Sequence, residues 1–414
     1  MNNDVFNFLR KNEILIGAWV SPPPRNTIEN KETFINEKQY QFLKESGINT
    51  IYALYERGDQ LLDEVTSALN LAERFDVNYL VRDERLKQVQ SVTDYNKLVD
   101  TYKNKKAFSG FLYWDEPGMI DFPSIRNVFQ IARKSSNPDK LVYVNLLPQY
   151  ATNSQLFFGV LEKEKNNQII DPRKYYEDFV QKTNSTYISY DFYPFEGEFP
   201  KIKEGFYQQY SLVNDIAIKY NLINMCFIQL CSFNQHSRNP SDIEIRFHVN
   251  VSLAYNTLGI QYFTYFLPVN GEVENFVGCM INHAGEKTPK FECVKKLNNF
   301  IKLIQEEITL ARWEGIVTED VKEVPVSDRI ILKSICISGK NLLTGVYGSE
   351  HSKLLLIVNT SLTNTQEVTI QVNNPKDIVV FNQKDLTKKQ DKIIKPLKFI
   401  LQPGEARMIK IYNA

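Results

Sequence analysis

The sequence predicts an α/β fold, a (β/α)8 TIM barrel followed by a C-terminal antiparallel β-sandwich domain, and three observations predict it. Short apolar runs alternate with amphipathic helical stretches from Ile14 to about Leu310, at the spacing of βα units. Several of those runs end in acidic or amide residues, as strands do when their carboxyl ends open into a barrel mouth. Beyond about Ile316 the helical periodicity stops and short strands joined by polar turns take over, the pattern of a sandwich. A doubly wound open sheet is the rival, but no Gly-rich phosphate loop follows the first strand. The barrel is expected in residues 1–314 and the sandwich in 315–414.

Taken in order, Ile14–Trp19 is an apolar strand stopped by the stiff Ser21-Pro-Pro-Pro24 loop, and Glu37–Ser46 is a helix ended by Gly47. Ile48–Glu56 is the second strand, followed by a helix from about Asp59 to Phe75 with apolar residues at helical spacing. Val77–Val81 is the third strand, closed by the charged run Arg82–Arg85, and Tyr95–Tyr102 is the next helix. The fourth strand is Phe108-Ser-Gly-Phe-Leu-Tyr-Trp-Asp-Glu116, where Pro117 and Gly118 turn the chain. Helices near Phe122–Arg133, Lys174–Lys182, Gly205–Lys219, Pro240–Leu258 and Pro289–Leu310 separate strands at Leu141–Leu146, Thr186–Pro194, Met225–Leu230 and Gly259–Leu267. An insertion from Pro148 to about Asp171 interrupts the alternation. In the carboxy-terminal part, segments beginning at Leu354, Gln366, Asp377 and Ala406 are strands.

The totals exclude several functions. Lys+Arg and Asp+Glu balance at 49 each in 414 residues, so no net field favours nucleic acid or an anionic membrane. No apolar run reaches the ~20 residues of a membrane span, and the amino terminus lacks a signal-peptide core. The expected location is therefore cytoplasmic, or secreted with the signal removed. Cys226, Cys231, Cys279, Cys293 and Cys336 have no metal-ligand spacing, and His236, His248, His283 and His351 are scattered. No metal or cofactor is expected, and the oligomeric state stays open.

Strand ends then become the census of chemistry. Acidic candidates are Glu56, Asp83, Glu84, Asp115, Glu116 and Asp191, with Asn145, Gln229, Tyr190, Tyr193 and Tyr265 as polar companions. Trp19 and Trp114 are candidate sugar platforms, since indole faces stack on the apolar faces of pyranose rings. No serine or cysteine nucleophile with a positioned histidine stands among them. Carboxylates among aromatics are what glycoside hydrolysis needs: one protonates the leaving oxygen and another activates water or attacks the anomeric carbon. Glu56, Asp83 and Glu84 have a plainer reading as loop salt bridges with Arg82 and Arg85.

The Trp114-Asp-Glu-Pro117 stretch, Ser189-Tyr-Asp-Phe-Tyr-Pro194, Leu253–Tyr265 and Met280–Pro289 carry a resemblance. Together they resemble glycoside hydrolases of the large clan of retaining (β/α)8 enzymes, most of all the family 42 β-galactosidase-like group. The resemblance spans most of residues 14–310 and implies a carbohydrate substrate, with Glu116 as acid/base and Asp115 where that clan usually has asparagine. It also implies a nucleophilic glutamate at the end of strand seven, where this chain reads Phe227-Ile-Gln-Leu-Cys-Ser-Phe233. Three readings follow. Asp191 is the second carboxylate; or Asp115 and Glu116 act as in substrate-assisted N-acetylhexosaminidases such as family 123, with Tyr190 in support; or the barrel binds glycans without cleaving them. A metal- or Schiff-base-dependent lyase or isomerase is disfavoured, because no strand ends in lysine.

Overall fold

The computed structural model describes residues 7, 9–25, 32–160, 168–271, 274–373, 375–391 and 396–412. Most of the amino-terminal run read above (residues 1–6 and 8) and residues 161–167 of the insertion lie outside them. Eight parallel strands form the barrel: β1 Leu15–Trp19, β2 Thr50–Arg57, β3 Asn78–Arg82, β4 Phe108–Asp115, β5 Leu141–Asn145, β6 Tyr187–Asp191, β7 Ile223–Gln229 and β8 Gly259–Phe263. Neighbours in sequence are neighbours in space, and β8 pairs with β1. The seam between β5 and β6 is closed by a bridge from Leu146 to Tyr190, with the Leu146 amide donating to the Ser189 carbonyl at 2.8 Å.

The strands are buried on both faces, so their sequences are near-continuous apolar runs rather than alternating ones. Inside the barrel, Gly17 leaves room for a ring: a Cβ there would meet Tyr52 at 2.8 Å. That layer is polar and fully bonded. The Tyr52 and Tyr143 hydroxyls donate to Gln261 at 2.5 and 2.7 Å, and Gln261 donates to Ser189 at 2.9 Å. The chain continues outward, as Ser189 donates to Asn145 at 3.1 Å.

Helices α1 Glu37–Ser46, α2 Leu62–Arg74, α3 Val92–Asp100, α4 Phe122–Arg133, α6 Pro172–Thr183, α7 Phe206–Tyr220, α8 Asp242–Ala254 and α9 Pro289–Leu310 surround the strands, and α5 Asn153–Phe158 is short and lies in the insertion. Their limits follow local signals. Asn36 caps α1 by accepting the Gln39 amide at 3.1 Å, and Gly47 ends it with φ 81°.

The carboxy-terminal strands are β9 Arg312–Glu319, β10 Ile335–Ser338, β11 Leu342–Gly348, β12 Ser352–Asn359, β13 Gln366–Val372, β14 Asp377–Asn382, β15 Thr387–Asp391, β16 Leu397–Leu401 and β17 Ala406–Tyr412. All pairs are antiparallel, in a six-stranded sheet ordered β9-β11-β12-β17-β14-β15 and a three-stranded sheet ordered β10-β13-β16. The six-stranded sheet is covered twice. One face packs Leu355, Ile357 and Ile409 against the smaller sheet, while Leu354, Leu356 and Met408 join the barrel core. This explains the unbroken Leu354–Val358 run. Trp313 donates its indole N–H to the Ala254 carbonyl at 2.9 Å, and Asn250 and Gln383 exchange amide hydrogen bonds at 2.9 and 2.8 Å across the junction. Among the described residues, no helix is long and apolar enough to cross a membrane.

Candidate active site

The end of β4 is bent for exposure of its acids. Asp115 is the last strand residue, and Glu116 has φ 50°, a left-handed conformation that costs a non-glycine residue about 1–2 kcal/mol. Hydrogen bonds hold it there: the Glu116 amide donates to the Asn145 carbonyl at 2.9 Å, and the Val160 amide donates to the Glu116 carbonyl at 3.2 Å. The Tyr175 hydroxyl fixes the next carbonyl, that of Pro117, at 2.7 Å. Gly118 lets the insertion approach, since a Cβ at that position would stand 2.3 Å from the Gly159 nitrogen.

Above this turn is a cavity of about 600 Å³, within the size range of small-molecule sites. Trp19, Asp115, Glu116, Asn145, Asp191 and Tyr193, all picked out from the sequence, line it. Asn145 joins the acids: its amide nitrogen donates to Asp191 at 3.1 Å and faces Asp115 at 3.4 Å. Glu116 and Asp191 lie close enough for each to act on the other's titration, and like charges so placed disfavour ionising together. Burial raises the Glu116 carboxyl well above the ordinary glutamate range, and the like charges of Asp191 and Asp115 raise it further. Burial and Asp115 raise Asp191 as well. Asp115 opens to the cavity but is ringed closely enough by protein that burial lifts it too, against the Asn145 hydrogen bond.

The walls are aromatic. Trp19 forms part of the floor against Tyr52 and Phe227, with ring centroids 5.9 and 5.8 Å away. Tyr193 packs between Phe233 and Phe263 at 5.0 and 5.1 Å. The sequence reading missed several lining residues, among them Tyr150, Gln155, Phe233, Glu274 and Phe276. Tyr150 and Gln155 lie in the insertion, and Glu274 and Phe276 in the long loop after β8, where no strand register says which side chains face inward.

The remaining candidates do not line this cavity. Glu56 is fully buried and is not among the residues lining the cavity. It accepts hydrogen bonds from the Ser21 and Tyr79 hydroxyls, and burial pushes its carboxyl up to about 7. It has no salt bridge among the described residues, so the plainer loop-pair reading does not describe it either. Asp83 is a structural acid, bonded by Arg85 and by the Tyr102 hydroxyl, both at 2.6 Å, and Glu84 pairs with Arg82 at 3.1 Å. Trp114 lies beneath Lys87, 5.1 Å from its ring centroid. Tyr190 alternates outward from Asp191 and packs against Tyr176 and Tyr210, away from the role in support of Asp115. The Tyr265 hydroxyl donates to the Gln39 carbonyl at 3.0 Å.

Gln229 occupies the place of the expected strand-seven glutamate and is wholly buried. Its oxygen accepts the Phe195 amide at 3.0 Å, and its nitrogen faces the carbonyls of Phe195, Cys231 and Arg238 at 3.2, 3.4 and 3.1 Å. It is a staple between loops. A second hollow of about 410 Å³ opens at the amino ends of β5 and β6, the face of a barrel that carries stability rather than catalysis. Among the described residues, no group of three or more His, Cys, Asp or Glu side chains could hold a metal ion.

No family model matches the chain, and no curated protein matches its sequence. Solved structures do match it in shape. A catalytic mutant of a family 42 β-galactosidase from G. stearothermophilus is similar with a TM-score of 0.56 and 9% identity, over 98% of this chain and 99% of that one. A β-galactosidase from Bacillus circulans sp. alkalophilus is similar with a TM-score of 0.55 and 9% identity, over 97% and 99%. A putative α-galactosidase from Bacteroides fragilis follows at 0.51 and 7%, over 97% and 79%. What the chain shares with these proteins is the fold, a (β/α)8 barrel with a β domain behind it.

Proposed function

We propose that the protein hydrolyses O-glycosidic bonds of an oligo- or polysaccharide, with Glu116 as the proton donor. The observation that carries this reading is a glutamic acid at the base of an aromatic cavity whose carboxyl burial and two neighbouring carboxyls raise well above the ordinary range. A leaving alkoxide needs a proton, and a raised pKa favours the protonated donor. The aromatic faces of Trp19 and Tyr193 supply stacking surface for a sugar ring. The β-galactosidases that share the fold support the same class of reaction.

The charge of Asp191 raises the Glu116 carboxyl, so Asp191 acts through Glu116, setting its protonation state. That leaves the nucleophile to be supplied, and β7 supplies none: Phe227 lines the cavity and Gln229 is turned into loop carbonyls. These observations favour a substrate-assisted course. The carbonyl oxygen of a 2-acetamido group attacks the anomeric carbon as Glu116 protonates the departing oxygen. Asp115, open to the cavity, accepts the amide N–H, and Glu116 then takes a proton from the water that opens the cyclic intermediate.

The test is direct. Glu116→Gln should lower kcat on an unactivated substrate by at least about 10³ while leaving the melting temperature near wild type or above it. A variant that stays fully active overturns the assignment. Preference for an N-acetyl-β-hexosaminide over a β-galactoside selects the substrate-assisted course.

A further inference from the structure

The ionisable groups of the cavity are all acids. Asp115, Glu116, Asp191 and Glu274 line it, and among the described lining residues there is no lysine, arginine or histidine. Cations near its walls are committed elsewhere. Lys203 lies 3.6 Å over the Tyr150 ring, is paired with Glu196 at 2.6 Å, and faces a separate groove between barrel and sandwich. Arg82 pairs with Glu84 at 3.1 Å and donates to the Leu54 carbonyl at 3.1 Å. Neither is left to meet an anionic group on a bound sugar.

Glu274 differs from the other three acids. They lie at the strand ends, in contact with Asn145 or with one another, whereas Glu274 is exposed on the loop after β8. That loop is held at the cavity mouth. The Asn275 amide donates to the Phe233 carbonyl at 3.0 Å, the Phe276 amide to the Asn270 side chain at 2.8 Å, and the Val269 amide to the Tyr55 hydroxyl at 2.9 Å. An exposed carboxylate on a loop whose neighbouring amides are anchored, lining the cavity beside Phe276, imposes a field on whatever passes it.

We propose that the cavity selects its sugar by charge, accepting neutral pyranosides and rejecting those bearing a carboxylate or sulfate, with Glu274 as the specificity-determining residue of the rim. The proposal rests on the glycosidase reading and narrows its substrate class. An anionic substituent entering the cavity gives up water and gains no cation, while acquiring repulsion from partly desolvated carboxylates. A neutral ring gives up only hydroxyl hydration, which the same carboxylates and Asn145 replace.

The experiment compares 4-nitrophenyl β-galactoside, β-glucoside, N-acetyl-β-glucosaminide, β-glucuronide and 6-sulfo-N-acetyl-β-glucosaminide as substrates. For wild type, kcat/KM on the best neutral glycoside should exceed that on either anionic one by about a hundredfold or more. Glu274→Lys should shrink that ratio by about tenfold or more, and Glu274→Gln by less. Cleavage of the glucuronide or the sulfated sugar as fast as the neutral ones overturns the charge rule alone. A ratio untouched in both variants, with melting temperatures unchanged, overturns the role of Glu274. If no glycoside in the panel is cleaved, and none binds the Glu116→Gln variant by calorimetry, the glycosidase reading falls and the charge rule falls with it.

Discussion

Glu116 and Asp191 come from different strands, and only the closing of the barrel brings their carboxyls together. Each carboxyl acts on the titration of the other, and removing one has an effect of definite sign. In its proposed role Glu116 must be protonated, so activity should be lost as pH rises through its elevated pKa. After burial, the negative charge of Asp191 is the largest cause of that elevation. Asp191→Asn removes the charge, so the alkaline limb of the kcat/KM profile should move toward acid. A limb that stays in place while activity falls would show Asp191 serving another purpose. The acid pair at 115–116 was legible because an apolar strand ending in carboxylates is unusual on energetic grounds. Tyr150 and Glu274 were not, because irregular loops carry no period from which an inward face can be read.

At the scale of the element, β7 shows how one position can be reassigned without loss of fold. The fold predicts something catalytic at its carboxyl end, and the sequence places an amide there that donates toward three carbonyls. Replacing that donor with an acceptor turns attraction into repulsion within a dry site. Gln229→Glu should therefore cost about 2–4 kcal/mol in urea unfolding and should create no covalent glycosyl-enzyme. A stable variant with new retaining activity would mean that the side chain can swing into the cavity. Arg238, whose carbonyl Gln229 meets, also binds the Glu196 and Lys201 carbonyls and the buried Glu244, so the loops between β6 and α8 stand or fall with this staple. Elements with strong local signals, such as α1 with its cap and glycine stop, were read to the residue. In the carboxy-terminal part β9, β10, β11, β15 and β16 were missed: β10 and β16 are four and five residues long with alternate side chains exposed, and β15 is polar throughout.

For the molecule as a whole, several buried carboxyls impose a shared pH dependence on stability. Glu56, fully buried, has its carboxyl raised to about 7. Below the unfolded glutamate pKa of about 4.3 both states are protonated and its contribution is complete. As pH rises through 7 the folded state must give up that proton in a dry site, and stability is lost. Glu56→Gln should flatten this slope and raise stability at pH 8 by about 2–3 kcal/mol relative to wild type. Equal slopes in thermal melts of both proteins between pH 5 and 8 would assign the dependence to the cavity acids instead.

The two-sided burial of the six-stranded sheet has a consequence for how the protein can be divided. Leu354, Leu356 and Met408 finish the packing around α8, and Gly345 sits so near Ala254 that a methyl group would strike its carbonyl oxygen at 2.4 Å. A gene fragment stopping at Leu310 would leave an oily wound along the barrel's flank. The rear domain is thus scaffolding for the front one, and the two must be inherited, expressed and engineered together.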